Sequence, residues 1–251
     1  MERLDRILAG TGRWSRREIG RLVKAGRVSV DGMPAQAPDE KYDPDANFTV
    51  DGEPVSGRQL VYLMLHKPAG VISATEDPRK RTVLDLLPEH MRRAGLFPVG
   101  RLDLNSEGLL LFTNDGDFAN DMTHPSRQVP KTYRVTVHSE VTPEQLVQLT
   151  EGIILDGERT NPAEVKIVTE EPGRSVMLIT ITEGRNREIR RMCESVGLEV
   201  ARLKRLAVGP VKLGMLKPGT HRELTADEVD MLRRLAERGK RAIAPERRSR
   251  K

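Results

Sequence analysis

The segment Leu109-Leu110-Leu111-Phe112-Thr113 is the most demanding feature of this 251-residue chain. Four consecutive apolar side chains and a β-branched threonine leave no polar face, so the run reads as a strand enclosed on both sides. Its flanks are equally restrictive. Upstream, Gly100-Arg101-Leu102-Asp103-Leu104-Asn105-Ser106-Glu107-Gly108 is polar and turn-rich, and downstream Asn114-Asp115-Gly116 is a turn signal. A loop carrying Arg and Asp beside a rigid buried strand is a place where a reactive carboxylate is well held. On residue type alone, Asp103 serves equally well as a turn or capping residue.

Other short β-rich runs lie at Tyr62–His66, Tyr133–His138 and Val176–Thr182, with helical stretches at about 117–123, 143–150, 186–196 and 226–238. Strands and helices do not alternate regularly, and no Gly-rich phosphate loop opens a helix. The pattern therefore predicts an α+β fold and not a doubly wound nucleotide-binding one. Cys193 is the only cysteine and the five histidines are scattered, so neither a disulfide nor a metal site is expected. No stretch approaches eighteen apolar residues and the N-terminus has no signal-peptide pattern, which predicts a cytoplasmic chain that crosses no membrane.

The first thirty residues differ in character from the rest. Lys and Arg outnumber Asp and Glu there by eight to three, whereas acids dominate from Asp31 to Gly57. Ser15-Arg16-Arg17-Glu18 is a capping-box pattern, followed by Ile19, Leu22 and Val23 at helical spacing. Arg13 precedes the helix, and Arg17, Arg21 and Lys24 follow at steps of four and three, aligned on another side of it. Gly26 ends it, and Val28-Ser29-Val30 reads as a strand entering an Asp31-Gly32 turn, with a second turn at Asp51-Gly52. The net charge of +5 suits a polyanionic partner without proving one.

Two resemblances sharpen this reading. The series Arg3-Leu4-Asp5, Ser15-Arg16-Arg17-Glu18 and Ala25-Gly26-Arg27-Val28-Ser29-Val30-Asp31-Gly32 resembles the small RNA-binding module named after the fourth small-subunit ribosomal protein. It implies that two short helices dock on structured RNA, with Arg3, Arg13, Arg16, Arg17, Arg21, Lys24 and Arg27 toward phosphates. The stretch Gly100–Gly116 resembles the signature of pseudouridine synthases of the RsuA family, which act on single rRNA uridines. Matching pieces extend through Leu65-His66-Lys67-Pro68-Ala69-Gly70, Lys131-Thr132-Tyr133, Glu183-Gly184-Arg185-Asn186-Arg187-Glu188-Ile189-Arg190-Arg191-Met192, Leu203-Lys204-Arg205-Leu206 and Pro218-Gly219.

The two resemblances imply a small N-terminal α/β RNA-binding module (residues 1–57) and a larger mixed, mainly antiparallel-sheet catalytic domain (58–237), and the basic, Pro245-containing stretch without apolar periodicity that follows reads as a disordered tail (238–251). The second resemblance implies isomerisation of a uridine to its C-glycoside, with no cofactor and no metal, by a monomer acting on ribosomal RNA or a ribosomal subunit precursor. Asp103 takes the place of the family's active carboxylate; attack on the sugar, attack on the base and proton abstraction all remain open roles. Arg190 matches the basic residue paired with it, Tyr133 the aromatic that packs on the target uracil, and Leu203 an apolar position of the pocket. Arg101 is expected to hold the site or the extruded strand, and Arg185, Arg187 and Arg191 to meet phosphates. Small-subunit rRNA is slightly favoured over a large-subunit hairpin. The contrasting readings are a non-catalytic RNA-binding or ribosome-assembly factor, and a glycosidase using Glu107 or Asp115 as a second carboxylate.

Overall fold

The computed structural model describes residues 1–11, 13–55 and 60–243. The N-terminal unit packs two helices, α1 (Leu4–Ala9) and α2 (Arg16–Lys24), on a small antiparallel sheet centred on β1 (Val28–Val30) and β2 (Phe48–Val50). The capping box forms as its spacing predicts: Glu18 N donates to Ser15 Oγ, and Ser15 N to the Glu18 carboxylate. Ile19 and Val23 face Leu4, Leu8, Val28 and Phe48 in a separate apolar core. Asp31-Gly32 and Asp51-Gly52 each place two consecutive residues at positive φ, as two-residue hairpin turns of type I′ require. Residues 56–59, where the two expected domains meet, lie outside the described residues.

The second unit is built on one long sheet. Its strands are β3 (Tyr62–Lys67), β4 (Phe97–Val99), β5 (Glu107–Thr113), β6 (Lys131–Val137), β7 (Glu164–Glu171), β8 (Arg174–Ile181), β9 (Val200–Val208), β10 (Val211–Lys212) and β11 (His221–Glu223). The order across the sheet is β7-β8-β6-β9-β5-β3-β11, with β10 on β9 and β4 on β5. Every pairing is antiparallel except β9 with β5. This is the mixed, mainly antiparallel α+β architecture the sequence implied.

The run that demanded a fully buried strand becomes β5. Leu110 and Phe112 enter a core covered by α4 (Pro143–Glu151) and α5 (Glu188–Ser195), while Leu109 and Leu111 enter another under α3 (Gly116–Thr123) and α6 (Ala226–Ile243). One edge of β5 is paired with β3 from Gly108 to Thr113. The other edge is divided: β9 takes Glu107 and Gly108, and β4 takes Leu111 to Thr113. The sheet therefore splits beside β5, and the loop Gly100–Ser106 leaves from that split.

Several strands escaped the sequence reading, among them two long ones. β7 is an edge strand whose exposed, charged positions hide its alternation, and β9 carries Arg202, Lys204 and Arg205 among its apolar residues. One expectation is corrected. Residues 238–243, assigned to a disordered tail, continue α6 to Ile243. Gly239 lets that helix press against the backbone of Arg127, where a Cβ would meet a carbonyl oxygen at 1.9 Å. Residues 244–251, the rest of the expected tail, lie outside the described residues.

Gly108 is the tightest point of the sheet. Its φ is +113°, and a Cβ there would sit 2.2 Å from the Arg205 carbonyl oxygen on β9. Gly108→Ala is therefore expected to cost at least about 2 kcal/mol, read as a lower urea midpoint of the whole chain. An unchanged midpoint would show that β5 and β9 do not meet this closely.

Candidate active site

Asp103 sits in the loop between β4 and β5, and the loop is fixed by its backbone. Lys67, fully buried at the end of β3, points its ammonium into the loop. Its Nζ donates to the carbonyl oxygens of Pro68 (3.1 Å), Asp103 (3.0 Å), Leu104 (3.3 Å) and Ser106 (2.7 Å). Ser73 clamps the other side, its hydroxyl donating to Leu102 O and accepting from Leu102 N. Gly70 N donates to Leu104 O. The Lys67-Pro68-Ala69-Gly70 turn is thus the platform under the Asp103 loop. Burial pushes the Lys67 ammonium down to about 8, against the pull of Asp103 and Glu107.

The carboxylate itself faces outward, with 31% of the Asp103 side chain exposed. Its Oδ2 lies 3.9 Å from Arg190 Nε and 3.8 Å from Arg187 Nη1. Those distances give electrostatic support without direct hydrogen bonds, so the carboxylate oxygens keep their acceptor capacity for a substrate. Arg190 is held by Val200 O and Asn105 O, and burial lowers its pKa from the usual guanidinium value. Its Nε is buried without a hydrogen-bond partner, leaving the attraction to Asp103 as its compensation.

A cavity of about 160 Å³ opens beside Asp103 at the split of the sheet. That is close to the ~150 Å³ that accommodates a benzene ring, and so suits one six-membered base. Tyr133 on β6 and Leu203 on β9 line it, both nearly buried, and Arg101 stands exposed at its edge. The structure thus brings Asp103, Arg101, Tyr133 and Leu203 around one cavity, with Arg190 behind the carboxylate.

The expected phosphate contacts divide into two groups. Arg187 turns to Asp103, Arg185 pairs with Glu183 at 2.9 Å, and Arg191 pairs with Asp156 at 2.6 Å. Arg3 and Arg16 share the buried Asp5, and Arg27 forms a two-pronged pair with Asp51. Among the described residues, Arg13, Arg17, Arg21 and Lys24 are exposed and form no salt bridge, although Arg21 lies in the field of Glu18. The open basic face is therefore that of α2 together with Arg13 just upstream of its cap.

The carboxylates a glycosidase would need are committed elsewhere. Glu107 accepts from Arg202 at 2.6 Å, and Asp115 caps α3 through Asp117 N and Phe118 N. Among the described residues no group of three His, Cys, Asp or Glu could hold a metal ion. Sequence reasoning assigned no part to Lys67, Ser73, Lys131, Glu188 or Arg205. A lysine ending the apolar run Leu63–Leu65 was the available signal for the first, since a cation in a buried strand must find acceptors.

Glu188 opens α5 and lines the cavity while only 4% exposed; its Oε2 accepts from Arg185 N and its Oε1 is buried without a partner. Burial pushes its carboxyl up to about 7. The folded state then holds a proton that the unfolded chain releases in the ordinary glutamate range, so this group's contribution to stability fades as pH rises toward 7. Glu188→Gln should unfold much like the parent at about pH 5 and be more stable by about 2–3 kcal/mol at about pH 8. A difference independent of pH in denaturant titrations would contradict the burial of an ionisable carboxyl here.

Comparison with known proteins agrees with this geometry. Residues 61–195 match the family model described as RNA pseudouridylate synthase, and residues 2–48 match the S4 domain. The uncharacterized RNA pseudouridine synthase YtzG of Bacillus subtilis is 46% identical over 233 residues, covering 92% of this chain and 98% of its own. The ribosomal large subunit pseudouridine synthase B of Bacillus subtilis is 41% identical over 246 residues, covering 97% of this chain and all of its own. Its Escherichia coli K12 namesake is 40% identical over 94% of this chain and 84% of its own. A crystal structure of a pseudouridylate synthase superposes with a TM-score of 0.67 at 28% identity, covering 92% of this chain and 100% of its own. A carboxylate held at a base-sized cavity, on a chain alike along nearly its whole length, has one consistent assignment: the chain belongs to the RNA pseudouridylate synthase family and isomerises uridine to pseudouridine.

Proposed function

We propose that this enzyme modifies a uridine of large-subunit ribosomal RNA, with Asp103 as the carboxylate that acts on the nucleotide. The sequence pattern leaned slightly to small-subunit rRNA. Relatives named for the large subunit, from Bacillus subtilis, Vibrio cholerae and Escherichia coli, weigh the other way, and the large-subunit reading is the one adopted. The observation that carries the catalytic part is the placement of Asp103: backbone pinned by Lys67, carboxylate open, two guanidiniums behind it and a base-sized cavity beside it.

The steps follow from that arrangement. The exposed cations of α2 meet phosphates and orient folded RNA, as the S4 domain match suggests. The target nucleotide leaves its stack at a cost of a few kcal/mol, which these contacts offset. Its uracil enters the cavity against Tyr133, and its ribose comes to rest at the Asp103 carboxylate. Arg190 and Arg187 stand against that carboxylate, balance its charge and orient it. The C1′–N1 bond breaks, the ring turns, C5 bonds to C1′, the C5 proton leaves and N1 takes up a proton. All the groups named come from one chain, in keeping with a monomer.

Pseudouridine mapping of rRNA from cells with and without the gene tests the assignment. One large-subunit position is expected to lose its pseudouridine on deletion and regain it with the wild-type gene. Loss confined to small-subunit rRNA would overturn the substrate, and an unchanged map would overturn rRNA as the target.

A further inference from the structure

The cavity holds a cation that neither the motifs nor the steps above use. Arg205 lies on β9, only 4% exposed, and lines the cavity with Tyr133, Leu203 and Asp103. Its Nε donates to Leu109 O at 2.6 Å, which fixes the plane of the guanidinium. Its backbone is locked against Gly108, five residues beyond Asp103 in the chain. The position of this guanidinium is therefore tied to the same strand that carries the reactive loop.

What the two terminal nitrogens do decides its use. Among the described residues they make no hydrogen bond and no ion pair, yet neither is sealed from solvent. The guanidinium carbon is 6.0 Å from the centre of the Tyr133 ring, the surface on which the base is to pack. The other cations of the cavity are engaged or exposed. Lys131 donates to Val129 O and Glu183 O, Arg185 is paired with Glu183 and Arg187 with Asp103, and Arg101 is exposed at the rim; Lys67, beneath the Asp103 loop, is spent on four carbonyls. Arg205 alone combines a fixed position, burial and free donors.

We infer that Arg205 is the catalytic residue that holds the detached uracil. This rests on the pseudouridine synthase reading and concerns its least stable species. When C1′–N1 breaks, the electron pair leaves with N1, and C1′ is left short of a pair beside the Asp103 carboxylate. The free ring is then a uracil anion whose charge spreads onto its two carbonyl oxygens. A guanidinium in a water-poor cavity donates to those oxygens more strongly as the charge develops, which lowers the barrier and not merely the binding energy. Because its donors fan out in one plane, they serve successive oxygens as the ring turns to present C5. The pair on C5 then bonds to C1′, the C5 proton departs and N1 is protonated, so no co-reactant is required.

The test compares the full chain with Arg205→Met and Arg205→Lys under single turnover, on one RNA carrying either uridine or 5-fluorouridine at the target. Consumption of the target nucleotide is the readout, with RNA affinity and the urea midpoint measured alongside. Arg205→Met is expected to slow consumption of uridine by about a hundredfold while RNA affinity stays within about threefold. Arg205→Lys, which keeps the charge and most of the stem, should lose less and supplies the comparison if the methionine variant is poorly folded. Fluorine makes uracil a better anionic leaving group, so the deficit should shrink on 5-fluorouridine. A purely structural arginine would lower the urea midpoint and give the same deficit on both nucleotides, which overturns the inference; so does uridine consumption within about threefold of wild type. Wild-type chain leaving every rRNA uridine unmodified would overturn the synthase reading as well, a result distinct from failure of Arg205 alone.

Discussion

The site depends on one buried ammonium. Lys67 is removed from water, which costs several kcal/mol unless the charge is solvated from within the protein. The acceptors that meet it are carbonyl oxygens of Pro68, Asp103, Leu104 and Ser106, three of them in the loop that carries the carboxylate. Displacing the loop would strand the cation, so the cost of burying Lys67 becomes the stiffness of the Asp103 backbone. The carboxylate can then be left open to a substrate without the loop moving away from its post.

The split in the sheet is the second half of the design. A continuous partner for β5 would have closed the space that the cavity occupies. Instead β9 meets β5 only at Glu107 and Gly108, and β4 only at Leu111 to Thr113. Gly108 makes the narrow contact possible because a side chain would collide with Arg205. One glycine therefore joins the loop of Asp103 to the strand of Leu203 and Arg205, and cores on both faces of β5 hold the junction rigid.

Much of this was legible in the residues. The apolar run of β5, the capping box of α2 and the paired Asp-Gly turns are local patterns, each determined by a few neighbours, and each forms where its spacing places it. Asp103, Tyr133 and Arg190 were legible only through family resemblance, because an Asp in a turn and a Tyr on a strand have ordinary uses. β9 and the residues Lys67 and Arg205 were not legible as functional, since their meaning is set by partners far away in sequence: Lys67 by a loop 36 to 39 residues on, Arg205 by Leu109, 96 residues back. Arg185 and Arg191, which read as phosphate contacts, are each paired with an acid: Glu183, two residues away, and Asp156, 35 residues back in the chain. The helical end of α6 likewise depends on a packing contact between Gly239 and Arg127 that no local pattern announces.

The central claim is that the open carboxylate of Asp103 performs the chemistry and does not merely shape the loop. Asp103→Asn keeps the side-chain volume and leaves the backbone carbonyl that Lys67 binds. Single-turnover isomerisation of the mapped uridine by that variant, with RNA affinity measured in parallel, addresses the claim directly. The account predicts a rate lower by at least about a thousandfold with affinity within about threefold of wild type. Isomerisation within about tenfold of wild type would contradict it and move the chemistry to another group.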